Sequence, residues 1–346
     1  MTDFSHRLVR WYQVHKRELP WREHRNPYAI WLSEVLLQQT RVEQGTPYFL
    51  RFVERFPTVE VLATAQLDDL LQVWQGLGYY ARARNLHAAA KIVANEWDGQ
   101  WKTEVADWRA LPGVGPYTAG AIASIAFGTR AAAVDGNVYR VLSRWAGIET
   151  AVDQPEGQKA LWGLAESLLP AGDCGDHTQA LMELGSLVCS PKQPKCGECP
   201  IAADCAVAFQ PDKAELLPVK LSKTKVLEEH WHRLFVVRDG QFLCGKRPIT
   251  GIWPGLMDLP QPSDLGKAEV EIEAGSAGKP VEHRLSHRRL WIHFHHLDAR
   301  GLTCQTKGFE WVALDNWEDH AWPVPVGRWL KKNSTFDFDN STYLLF

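Results

Sequence analysis

From residue 189 to residue 205 the chain reads CSPKQPKCGECPIAADC, four cysteines separated by six, two and five residues. Thiolates are soft ligands, suited to zinc or to an iron–sulfur cluster. Cys189, Cys196, Cys199 and Cys205 can close around one metal centre without help from distant segments. Four unrelated buried thiols would rarely crowd this tightly. A zinc ribbon pairs two C-x-x-C knuckles, and only one such pair stands here. Cys174, Cys244 and Cys304 are scattered and read as ordinary buried thiols.

Upstream, Leu111-Pro112-Gly113-Val114-Gly115 runs into a helical stretch that begins Pro116-Tyr117-Thr118. Gly113 and Gly115 let the backbone turn tightly and come close to a ligand. The amides at the start of the next helix then suit an anion such as a phosphate. A plain turn between helices would also use Pro and Gly; the cysteine loop downstream gives the hairpin its weight.

Two carboxyl groups flank the hairpin in sequence. Glu34 lies within Trp31-Leu32-Ser33-Glu34-Val35-Leu36-Leu37, where apolar neighbours would raise its pKa by desolvation and keep a proton available. Most glutamates on helices are simply solvated, so the surrounding motif is what singles this one out. Asp135 lies in Ala133-Val134-Asp135-Gly136-Asn137, a poor core position and a good helix N-cap. One protonated and one ionised carboxyl suit cleavage of an N-glycosidic bond. The acid improves the leaving base, and the anion stabilises the oxocarbenium-like sugar.

The 346 residues suggest about two domains. Residues 1–205 read as a mainly α domain, with Asn26-Pro27 opening a helix and helical patterns near 67–74, 81–97, 117–127, 138–146 and 158–169. Residues 206–229, with Pro211, Pro218 and several lysines, read as a connector. Residues 230–346 read as a smaller α+β domain. Its expected parts are a hairpin turning at Asp239-Gly240, strands at 290–295 and 308–314, a short helix at 326–332 and an exposed loop at 264–279. The net charge of −3 argues against a protein that coats nucleic acid through a broad basic field, though not against a local binder. Sixteen tryptophans leave room for stacking or wedge residues beyond the core. With no signal-like N-terminal run and no long apolar stretch, a cytoplasmic protein that engages no membrane is expected.

Taken together, these segments resemble the MutY family of adenine DNA glycosylases, within the endonuclease III superfamily. The resemblance rests on LPWREHRNPYAIWLSEVLLQQTRVEQ, WQGLGYYARARNLHAAA, LPGVGPYTAGAIASIAFG and AVDGNVYRVLSR, followed by the cysteine loop, whose six-two-five spacing resembles a 4Fe–4S loop. It covers the first 205 residues closely. The remainder is similar, more loosely, to that family's NUDIX-like domain through GIWPGLMDLP and VEHRLSHRRLW. The resemblance implies a helix–hairpin–helix fold with a 4Fe–4S cluster on the four cysteines, and a monomer acting on duplex DNA with adenine opposite 8-oxoguanine or guanine. It makes Glu34 the acid and Asp135 its partner, supported by Tyr117 and Asn137. Trp21, Arg22 and Gln179 would line the adenine pocket. Gln39 and Tyr79 would enter the duplex, with Thr40 beside them.

Two positions inform the function further. Bifunctional enzymes of the superfamily carry a nucleophilic lysine just after the hairpin glycines; here the slot holds Tyr117, and no lysine lies between Leu111 and Thr129. That implies a monofunctional glycosylase. The family's Phe-Ser-His turn for the opposing base corresponds to Leu285, Ser286 and His287, so one aromatic ring is missing. The NUDIX-like half also lacks the glutamate-rich box that would hold Mg²⁺. His283, His287, His293, His295 and His296 make this half histidine-rich, a pattern read as surface or packing before metal. The competing readings are a bifunctional glycosylase/lyase of endonuclease III type and a non-catalytic iron–sulfur DNA-binding protein. The missing lysine argues against the first and the intact carboxyl pair against the second.

Overall fold

The structure is a computed structural model describing residues 3–221, 226–265, 278–298 and 308–333. Its chain divides into two compact units, residues 1–65 with 84–223, and residues 66–83 with 224–346. Thirteen α-helices are formed by the described residues. They are α1 (Asp3–His15), α2 (Pro27–Leu36), α3 (Val42–Arg55), α4 (Val59–Thr64), α5 (Leu67–Trp74), α6 (Ala81–Asn95), α7 (Val105–Arg109), α8 (Pro116–Phe127), α9 (Gly136–Ala146), α10 (Pro155–Leu168), α11 (Gly175–Leu187), α12 (Pro211–Leu216) and α13 (Val324–Asn333).

The first unit is all-α. Phe4 and Leu8 of α1, Val138 and Leu142 of α9, Leu161 of α10 and Leu181 and Leu184 of α11 share one buried cluster. This core fixes α9 against α11, and the two approach closely: a Cβ on Gly185 would lie 2.6 Å from that of Asn137. A second cluster is built from indoles. Trp108 meets Trp31, Trp97 and Trp101 with ring centroids 5.5–5.9 Å apart, and its Nε1 donates to the Lys102 carbonyl at 2.9 Å. Part of the high tryptophan content is therefore core.

Residues 206–221 carry more structure than a connector requires. Pro at the first position opens α12, and Val207, Ala214 and Leu217 form a small buried cluster with Cys205. Val152 donates its amide to the Val219 carbonyl at 2.9 Å, which ties this segment to the helical unit.

In the second unit α5 and α13 accompany a six-stranded sheet. Its strands are β1 (Leu227–Arg238), β2 (Gln241–Lys246), β3 (Met257–Asp258), β4 (Val281–Arg284), β5 (Arg288–Asp298) and β6 (Glu310–Ala313). The order is β3-β2-β1-β5-β4, with β6 also on β2; β1 and β5 run parallel and the other pairs antiparallel. The β1–β2 turn falls at Asp239 (φ 48°) and Gly240 (φ 73°), the two positive φ values of a type I′ turn. Leu234, Val236 and Leu243 pack on one face with Leu265, and Phe294 stacks on Trp329 of α13 at 4.5 Å. β1 begins at Leu227, earlier than the connector reading allowed, because it pairs with β5 along its whole length. Of the loop expected at 264–279, residues 262–265 form a 3₁₀ turn, while 266–277 lie outside the described residues.

Candidate active site

Glu34 is placed by the start of α2. The Asn26 side chain accepts from the amides of Tyr28 (2.9 Å) and Ala29 (3.4 Å), and Pro27 fills the first helical position. Glu34 then falls in the last turn, between buried Ser33 and Val35. The residue keeps some solvent-accessible surface, while its carboxyl is desolvated and takes the Tyr117 hydroxyl. Burial pushes that carboxyl up to about 7, assisted by the negative charge of Asp135 and opposed by Tyr117 and Arg22.

Tyr117 reaches the same carboxyl from α8. Gly113 adopts φ 75°, Gly115 caps the helix and Pro116 opens it. Any side chain at Gly113 would strain the turn and meet Asn85 at 2.6 Å. The Tyr117 hydroxyl donates to Glu34 Oε2 at 2.6 Å and lies 3.6 Å from Met182 Sδ. Burial holds the phenol well above its ordinary pKa, so it keeps its proton.

Asp135 caps α9. Its Oδ1 accepts from the Val138 amide at 2.7 Å and its Oδ2 from Asn137 Nδ2 at 2.8 Å. Desolvation raises its pKa, and those two bonds oppose the rise. Arg140, one turn along, donates to Asn137 Oδ1 (2.9 Å), the Gly185 carbonyl (2.7 Å) and the Cys189 carbonyl (2.7 Å). The aspartate and the first cysteine are thus joined through Asn137 and Arg140.

Arg22, on a 3₁₀ turn, makes a two-pronged contact with Glu183 of α11 and lies over the Tyr12 ring. Trp21 is buried edge-on against Phe49 of α3. Gln179 is half-buried on α11, one helical turn before Glu183. Gln39 (φ 56°) and Tyr79 (φ 50°) both hold the left-handed backbone that few non-glycine residues adopt, and both are exposed. Such strain recurs at functional sites. Thr40 follows Gln39 and donates its hydroxyl to the Gln38 carbonyl at 3.4 Å.

Cys189, Cys196, Cys199 and Cys205 line one small pocket, together with Arg144 and Ala214. The buried Arg144 guanidinium spans it, donating to the carbonyls of Ser190, Pro191 and Ala214 and approaching Cys189 Sγ at 3.4 Å. No three His, Cys, Asp or Glu side chains among the described residues converge as a single metal ion would need.

In the second unit, Leu285, Ser286 and His287 form the β4–β5 turn. The Leu285 amide donates to the Arg288 carbonyl at 2.8 Å, and Ser286 and His287 are exposed with Oγ and Nδ1 3.2 Å apart. The parallel register sets His232 of β1 opposite His293, with His230 two residues before His232 and His295 two residues after His293. The imidazoles stack in the order His230, His293, His232, His295 with centroids 4.8–5.4 Å apart, and the first and last pairs are also hydrogen-bonded at 3.0–3.1 Å.

Residues 32–167 match the family described as HhH-GPD superfamily base excision DNA repair protein, and residues 233–332 match the NUDIX domain. The adenine DNA glycosylase of Buchnera aphidicola subsp. Baizongia pistaciae is 32% identical, over 96% of this chain and 97% of its own. That of Homo sapiens is 42% identical, over 95% of this chain and 70% of its own. The chain belongs to the adenine DNA glycosylase family.

A solved thermostable thymine-DNA glycosylase is also similar, with TM-score 0.54 at 31% identity over 59% of this chain and 94% of that one. Among the described residues of this adenine DNA glycosylase family member, no helix is long and apolar enough to cross a membrane. Sequence reasoning missed Arg17, Arg140, Arg144 and Glu183. Arg140 could have been found, since it lies three residues beyond Asn137 on one helix face. Glu183 could not, because its partners Arg17 and Arg22 stand 166 and 161 residues away.

Proposed function

We propose that this enzyme removes adenine mispaired with 8-oxoguanine or guanine from duplex DNA, hydrolysing the N-glycosidic bond and leaving an abasic site. The observation that carries the reading is the pair of unlike carboxyls. Glu34 holds a proton near neutral pH under the Tyr117 hydroxyl, and Asp135 is oriented by the first turn of α9.

Backbone amides at the Gly113–Gly115 hairpin grip a phosphate, and Gln39 and Tyr79 enter the duplex as the adenine is extruded. Trp21, Arg22 and Gln179 receive the base. Glu34 protonates it, weakening the bond to the sugar, while anionic Asp135 stabilises the cation that forms. A water then adds, with the Glu34 carboxylate as its base. Ser286 and His287 offer hydrogen-bond groups to the opposing base, and Leu285 offers apolar contact in place of a ring.

Single-turnover assays on duplexes with adenine opposite 8-oxoguanine, guanine or thymine test this reading. Excision is expected from the first two and not the third, with no adduct trapped by borohydride because Tyr117 supplies no amine. Cleavage of oxidised pyrimidines, or efficient trapping, would overturn it.

The four cysteines fit a 4Fe–4S cluster. They line one pocket, and four thiolates are the ligand set that such a cluster takes. When bound, the cluster would supply iron to which the four thiolates attach, cross-linking the loop. Arg140 and Arg144 clasp that loop from α9. Anaerobically purified protein should contain iron and absorb visible light, and Cys199→Ser should lose both. Stoichiometric zinc without iron would refute the assignment.

A further inference from the structure

Glu183 is an ionised carboxylate with almost no exposure, 1% of its side chain, on the helix face that also presents Gln179 and Met182. Its Oε1 accepts from the Arg17 amide (2.9 Å), Arg17 Nε (2.9 Å) and Arg22 Nη1 (3.2 Å); its Oε2 accepts from Arg17 Nη2 and Arg22 Nη2, both at 2.9 Å. A carboxylate offers about four acceptor sites, so five donors leave nothing for a ligand. These donors hold its pKa down to about 2 against the cost of burial, and it stays anionic wherever the enzyme works.

The consequence falls on Arg22. Its Nη1 also donates to the Arg17 carbonyl at 3.1 Å, which closes residues 17–22 on themselves. Among the described residues, three of the five guanidinium N–H groups are thereby engaged. Two remain to meet the acceptor nitrogens of a purine ring. The planar fork fixes their direction, which a lysine could not do.

We propose that Glu183 is a positioning residue for base recognition, aiming the free edge of Arg22 at the extruded adenine and offsetting part of the positive charge beside Glu34. This rests on the reading of Arg22 as a base-pocket residue. The offset matters because a stronger positive field there would favour ionised Glu34 and strip the acid of its proton. The other groups bearing on Glu34 are Asp135 of α9 and Tyr117 of α8, whereas the donors to Glu183 are Arg17 and Arg22.

The test compares Glu183→Gln, Glu183→Asp and Arg22→Lys with the parent in the full-length, cluster-loaded protein. Single-turnover excision and mispair-duplex affinity are measured across pH. Glu183→Gln is expected to slow excision roughly tenfold to a hundredfold at unchanged affinity. It should also move the alkaline limb of the rate profile to lower pH, and Glu183→Asp should restore part of both. Should Glu183→Gln fail to fold, Arg22→Lys keeps the charge and breaks the fork. It should slow excision while leaving the alkaline limb in place. A folded Glu183→Gln with parental rate and profile overturns the proposal, as does an Arg22→Lys at parental rate. A parent that excises no adenine overturns instead the proposed function.

Discussion

Replacing Glu34 with glutamine should leave duplex binding intact and lower adenine excision by about a thousandfold, within the range of about 10²–10⁴ for general acid–base groups. The amide oxygen of the substituted side chain still accepts the Tyr117 hydroxyl bond, so the pocket keeps its shape and loses only the transferable proton. In the proposed mechanism the parent's acid works while Glu34 is protonated. Its folded pKa of about 7 keeps it so up to neutrality, whereas at the ordinary 4.5 it would be almost wholly ionised there. Excision therefore declines as pH rises through about 7. Stability follows the same sign. A pKa raised by folding contributes stability that is full below 4.5 and is lost as pH climbs through 7. Glu34→Gln has no such loss, so its melting temperature should exceed the parent's at alkaline pH. Substantial turnover by this variant would mean that the proton comes from elsewhere.

Asp135→Asn and Asp135→Ala should both lower excision by about 10²–10³, the usual cost of removing one aligned charge-stabilising group. They should differ in stability. Asparagine keeps an oxygen for the Val138 amide, whereas alanine abandons the α9 cap, at about 1 kcal/mol. Parallel kinetics and melting curves separate the two roles. If Asp135→Asn turned over like the parent, the residue would be a cap and nothing more. Because Asp135 must be ionised and its pKa is raised by burial, the acid limb of the rate profile should lie above the ordinary aspartate range.

How far the sequence predicts these features depends on distance along the chain. Asn26-Pro27 and Asp239-Gly240 carry their conformations in neighbouring residues, and both are readable. So is α5, whose bounds match the periodic run at 67–74. β1 is legible only from Leu234 onward because LEEHWHR looks like polar surface; its early half is a strand only by pairing with β5. β3 is two residues long and offers no periodicity to detect. At the site, Glu34, Tyr117 and Asp135 stand out by their motifs, while the histidine array and the Glu183 clasp depend on register and packing.

The Tyr117 hydroxyl bond has a stereochemical consequence. The phenol holds its own hydrogen and directs it at Oε2, which makes Oε2 the poorer site for the carboxyl's own proton. The proton of Glu34 is left to the other oxygen, Oε1. The acid thus has a handedness before any base arrives. In the proposed reaction it offers hydrogen from one edge of the carboxyl, to which a purine would present its ring nitrogen. Discrimination between bases then comes partly from which of them can turn the right atom to a single oxygen.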